Sequence, residues 1–509
     1  MEAALPRSVA LEERRVPGRP KPGLTSPGTT VRATATSVSL PLRFMLTGLM
    51  AFVVSVGWIF IKPSILATYH YNQYVIAATH LVVLGFVCTV VMGAMYQLVP
   101  VALETKLYSE RLAKWQFIIH VISFTGMVWM FNVWNMKHVG HFGSGLALGV
   151  GLFVYNMART LWRVPKWNLV ATAITAALVW FSLTIFAGLA IATAKCAYEA
   201  TEGLATADGV KEMINGLQMV ASVVSRFDAI GAMHAHAHLG VVGFFVLLIV
   251  GVSYRLVPMF MLTELQSKRR ATISVLLLNI GLAGSVVTIL LRSDWKPVFA
   301  TVAVAGLAVF GWELRAMLRA RKRPVLDWGL KSFLVAVGML IPVCALALVL
   351  SWPRLPMNQF FSLLENVYGF LGLFGVVALA ILGMLHKILP FLVWFGVYSP
   401  HVGRAQLPLT TQMVSERAQR IGLITYLVGL AIISIAILRE NELGLRIGAV
   451  ALFTSLLCFG WNVVQVFSHF RRPQIKPLST DGGKARHSVR TDEESPVSGG
   501  QRTACSTTK

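Results

Sequence analysis

Charge is scarce in this chain: only 13% of its residues are Asp, Glu, Lys or Arg, while 56% are hydrophobic. Too little polar surface remains to cover a water-soluble protein of 509 residues, which excludes a soluble globular enzyme and makes lipid the solvent. Acidic residues are scarcer still, 22 against 45 Lys and Arg. The net charge of +23 does not mark a nucleic-acid binder, because the basic residues lie between apolar stretches and near the two ends rather than on one soluble domain. Their expected partners are the anionic headgroups of a lipid bilayer. Cysteine is sparse too. Cys88, Cys196, Cys344, Cys458 and Cys505 form no CxxC zinc pattern and no CxxCH motif, which excludes covalent haem attachment. No short apolar core with a cleavage site opens the chain, so no cleaved signal peptide is expected.

What the chain has in abundance is apolar runs of about 20 residues, each long enough to cross a hydrocarbon core of about 30 Å as a helix. Twelve spans are predicted, at roughly 44–62, 72–100, 115–136, 142–160, 168–194, 228–261, 272–291, 297–314, 332–351, 357–394, 421–438 and 446–469. Backbone groups in lipid need internal partners, so the fold class is an all-α polytopic membrane bundle. Residues 1–43 are rich in Pro, Gly, Ser, Thr and Arg, and residues 471–509 are polar and poor in aromatics. Neither end buries enough surface to fold, so both are expected to be disordered tails around a membrane domain at 44–470. Eighteen basic residues fall in five connections on one side, from Lys106 to Arg420, against ten in the six opposite connections. The positive-inside rule then places both tails in the cytoplasm, as in a bacterial inner (plasma) membrane protein.

The second, sixth and tenth spans repeat one another: HLVVLGFVCTVVMGAMYQLVP from His80, HLGVVGFFVLLIVGVSYRLVP from His238 and FLGLFGVVALAILGMLHKILP from Phe370. The offsets are 158 and 290 throughout, aligning Gly85, Gly243 and Gly375, then Gly93, Gly251 and Gly383, then Pro100, Pro258 and Pro390. Such a period predicts three pseudo-equivalent groups of helices. The small residues let backbones or a flat cofactor approach closely, and the prolines are expected to end the helices.

His80 and His238 share a repeat position. Facing imidazoles from two neighbouring helices can supply both axial ligands of a low-spin haem. In MHAHAHLG, His234 and His238 are four apart and share a helix face, whereas His236 lies about 200° around the axis from them. The expectation is His238 toward the second helix and His236 toward the tenth, serving one or two haem b groups. Tyr368, Phe370, Gly372 and Gly375 offer no second axial ligand there, so an iron held by His236 keeps an open position. Zinc on the three histidines is disfavoured, since His236 points away from the other two and no carboxylate sits in the motif. His70, His138 and His141 are expected in solvated connections, His120 inside the third helix, and His386 and His401 at the opposite side without an identified partner.

The run HAHLGVVGFFVLLIVGVSYRLVP from His236 resembles the tenth helix of the haem-copper oxidase superfamily, and most closely that of its cbb-type oxidases and nitric oxide reductases. That resemblance implies a low-spin haem on His238, completed by His80, and a high-spin haem on His236. Arg292, in the connection where the family places basic residues, is the implied propionate partner. Here the His-x-His helix is the sixth rather than the tenth, as if the functional frame were rotated by one repeat. The family's paired histidines one helix later are absent, and the eleventh span has none, so a copper or non-haem iron centre is not expected. Two readings stay open: an oxidoreductase acting on oxygen or nitric oxide, or a non-enzymatic haem protein that senses gas or carries electrons or haem. Either needs an electron donor from outside, a membrane quinol or a cytochrome subunit.

Overall fold

The computed structural model describes residues 37–200, 216, 218–356 and 358–477. Twelve long helices run through them: α1 Ser39–Ile61, α2 Gln73–Ala102, α3 Glu110–Asn132, α4 Met136–Leu161, α5 Leu169–Ala200, α6 Ala229–Met261, α7 Lys268–Leu290, α8 Lys296–Arg319, α9 Trp328–Ser351, α10 Gln359–His401, α11 Glu416–Leu438 and α12 Glu442–Arg471. Ten of them are long and apolar enough to cross a membrane. α3 and α4 match the others in length but carry buried polar side chains, Gln116, His120 and Asn156. The chain is an all-α integral membrane bundle.

Both expected tails are shorter than composition suggested. α1 starts at Ser39 rather than 44, with Leu40, Pro41 and Leu42 already buried and Pro41 in the first turn, where its missing N–H is not needed. Past α12, Lys476–Pro477 (β2) pairs antiparallel with Ala405–Gln406 (β1). The remainder of both tails lies outside the described residues.

The threefold repeat reaches well beyond the motif that revealed it. α2, α6 and α10 each contain an eight-residue π-helical segment, Leu81–Cys88, Leu239–Val246 and Leu371–Ala378, at one and the same repeat position. α3, α7 and α11 are each 23 residues long and start from a serine N-cap, Ser109, Ser267 or Ser415, whose side chain accepts the N–H of the residue three further on. The cap's own N–H donates to a polar side chain of the following helix: Asn156 at 3.1 Å, Glu313 at 2.9 Å and Asn462 at 2.6 Å. This explains why those three residues are buried. The same helices end just before a left-handed non-glycine residue, Trp134, Arg292 or Glu440.

Gly93, Gly251 and Gly383 serve helix packing. A Cβ on them would lie 2.5 Å from Phe44, 2.4 Å from Ala173 and 2.8 Å from the Phe333 backbone, in α1, α5 and α9 respectively. The expected proline stops hold for two of three copies. α2 and α6 end within a turn of Pro100 and Pro258, but α10 runs on past Pro390 to His401. Tertiary packing overrides the proline there: Val393 and Tyr398 bury against Met413 and Val466, and the Tyr398 hydroxyl lies 2.6 Å from His469 Nδ1.

Candidate functional site

A cavity of about 880 Å³ opens among α2, α5, α6 and α10 at the end of the bundle that carries the 62–72 connection. His70, His80, His234, His236, His238 and Tyr368 all line it. Three of these imidazoles are oriented in the same way. Nδ1 lies 2.8 Å from the Ile76 carbonyl in His80, 3.0 Å from the Thr184 carbonyl in His236 and 2.7 Å from the His234 carbonyl in His238. A carbonyl only accepts, so each Nδ1 carries the proton and each Nε2 keeps its lone pair, the arrangement that fixes metal-binding histidines.

The partners differ from those expected. His80 stands beside His236, ring centroids 6.4 Å apart and planes 18° from parallel. His238 faces Tyr368 of α10, centroids 6.2 Å apart at 26°, with its Nε2 3.3 Å from the phenol oxygen. The assignment of His238 to α2 and His236 to α10 is therefore reversed. Its physical reason lies in the repeat. Residues at one repeat position point the same way around their own helices, so position 80 meets not its equivalent 238 but 236, two residues earlier on α6. Position 238 in turn meets 368, two residues before its own equivalent, 370.

The spacing decides what each groove can hold. Two imidazoles bound to one metal through bonds of about 2.0 Å place their centroids about 6.3 Å apart, and the His80–His236 pair stands at 6.4 Å. These two rings stand at the centroid spacing of two imidazoles on opposite sides of one metal. His238 and Tyr368, at 3.3 Å, are too close to hold a metal between them, which needs about 4 Å. Gly188 of α5 is the floor under His236, where a Cβ would come within 2.7 Å of the ring.

His234 turns to the mouth of the cavity. Its Nε2 lies 3.2 Å from Nε2 of His70, whose Nδ1 lies 3.5 Å from Glu365. His70 is thus not a solvated loop residue; its side chain is only 16% exposed. Asn366, next to Glu365, donates to the carbonyls of Leu66 and Thr68 and ties that connection to α10. Burial holds the His70 pKa below the ordinary histidine value. His120 bonds within the bundle, to Thr89 at 3.0 Å and the Leu84 carbonyl at 3.3 Å. His138 and His141 are exposed, as expected.

Arg292 also lines the cavity, but its guanidinium is held by Asp228 at 2.6 Å. Asp228 caps α6 through the Gly231 N–H. The Arg292 hydrogen bond, with the Gly231 N–H behind it, holds the Asp228 carboxyl below the usual carboxylate range. A lowered native pKa stabilises the fold fully above the unfolded value of about 3.9 and loses that contribution as pH falls through the native value. Thermal unfolding midpoints recorded from pH 6 down to pH 3 are expected to fall less steeply in Asp228→Asn than in the wild type. Equal slopes would remove the clasp from the acid response.

The family model for Cytochrome C and Quinol oxidase polypeptide I matches residues 25–136, a stretch that includes α1 to α3 and His80. With the twelve long helices of the described residues, this match over the first quarter of the chain supports membership of the haem-copper oxidase subunit I superfamily. No curated protein matches it.

Proposed function

We propose that the chain is a redox-active membrane haem protein, akin to the large subunits of cbb-type oxidases and nitric oxide reductases. His80 and His236 would hold one haem b between α2 and α6. The observation that carries this reading is the 6.4 Å spacing of those two rings, each anchored through Nδ1. Bound there, haem supplies one-electron transfer. His80 and His236 would hold the iron, with the Ile76 and Thr184 carbonyls fixing both ring tautomers. His238 would hold a second haem b in the α6–α10 groove once its hydrogen bond to Tyr368 is broken, and the chemistry supplied there would be the binding of a gas substrate, oxygen or nitric oxide. Electrons come from a membrane quinol or a cytochrome subunit, and both tails lie on the cytoplasmic side of a bacterial inner membrane, flanking the membrane domain of 44–470.

A second reading, a non-enzymatic electron or haem carrier or gas sensor, is favoured by the His238–Tyr368 hydrogen bond, which already occupies Nε2 of His238. Carbon monoxide separates the two. The reduced protein is expected to bind it at a high-spin component that is lost in His238→Ala while the low-spin spectrum persists. A silent response with one haem per chain would select the carrier. No b-type difference spectrum at all would overturn both readings.

A further inference from the structure

The haem reading leaves one cluster unused, at the mouth of the cavity. We propose that His70, His234 and Glu365 form a binding site for a divalent transition-metal ion of the zinc type, separate from any haem. One ligand atom from each of the three residues lies within 4.8 Å of the others. They come from three separate elements: the α1–α2 connection, α6 and α10.

The donor set is right for such an ion, since two neutral imidazoles and one carboxylate are a recurrent zinc set that leaves a fourth position open. The spacing is right as well. Ligands at about 2.0–2.1 Å on a tetrahedral metal stand about 3.3 Å apart, and the two Nε2 atoms of His70 and His234 are 3.2 Å apart. The polar accounting points the same way. Nδ1 of His70 is buried with no hydrogen-bond partner among the described residues, although the Glu365 carboxylate lies 3.5 Å away. The site is also held in advance. The two bonds from Asn366 keep the segment leading to His70 against α10, beside Glu365, and such prior positioning lowers the ordering needed on binding.

The site does not depend on the haem reading, and its test does not use haem. The full-length protein in detergent is dialysed against Zn²⁺ and then against a competing chelator, and zinc per chain is measured by mass spectrometry. One tightly held zinc is expected. His70→Ala, His234→Ala and Glu365→Gln are each expected to weaken binding at least about tenfold, whereas a His138→Ala/His141→Ala double variant retains it. Zinc K-edge absorption is expected to show two imidazole ligands. Zinc held equally by all variants, or by none including the wild type, would leave only a hydrogen-bonded Glu365–His70–His234 chain and overturn the proposal. Glu365→Gln changes no volume, so a fold defect in the alanine variants does not blunt the test.

Discussion

Alanine at His236 is expected to abolish the low-spin haem signal, alanine at His80 to do the same, and alanine at His238 to leave it standing. The neighbours Ala235 and Ala237 offer no replacement ligand, and His234 is turned toward His70. Losing either member of a pair spaced for one metal leaves the iron five-coordinate or absent. Reduced-minus-oxidised spectra, with haem-to-protein ratios taken alongside, are expected to show a loss of at least about tenfold in the first two variants. The reverse outcome, His238→Ala silent and His236→Ala intact, would restore the pairing of repeat-equivalent histidines and refute the one derived from the ring geometry.

The largest loss of stability is expected at Glu313→Ala, far from the cavity. Glu313 has no exposed surface and accepts from the Gln266 N–H at 2.7 Å, the Ser267 N–H at 2.9 Å and Arg270 Nε at 2.7 Å. Removing it leaves the Gln266 and Ser267 N–H groups without their acceptor and strands a guanidinium whose side chain is 28% exposed. Breaking a buried pair from one side costs about 3–5 kcal/mol, and the partial exposure of Arg270 places this case near 3 kcal/mol. Asn156→Ala and Asn462→Ala break the same clasp without an ion and are expected to cost about 1 kcal/mol each. Unfolding midpoints in detergent rank the three. Equal losses would mean that the Arg270 ion pair adds nothing to the cap.

How much of this was legible depended on the period of each signal. The twelve spans and the repeat of α2, α6 and α10 are carried by hydropathy and by Gly and Pro at fixed offsets, which one strand of text displays directly. The serine caps were legible in principle. Ser109, Ser267 and Ser415 each precede a charged pair, Glu110–Arg111, Lys268–Arg269 and Glu416–Arg417, but no glycine or proline draws the eye to them. The π-helical segments carry no compositional mark, since LVVLGFVC would suit an α-helix equally well. The histidines were legible as a constellation but their neighbours were not, because a shared repeat position fixes direction around a helix and not the partner across a groove. His70 was out of reach of periodicity altogether. Its place follows from Asn366, 298 residues away from Thr68 in sequence, binding the connection to α10.

The three polar clasps also say something about biogenesis. Each closes a hairpin, α3 on α4, α7 on α8, α11 on α12, between residues only 47, 46 and 47 apart. Contacts that local form early, with little chain entropy to overcome. The first two hairpins can latch while the ribosome is still adding the next. The cavity cannot. Its wall joins residue 70 to residue 365 and residue 238 to residue 368, so it exists only after α10 has been inserted, when about four fifths of the chain has been made. Whatever occupies it is loaded late, into a scaffold whose first two hairpins are already shut.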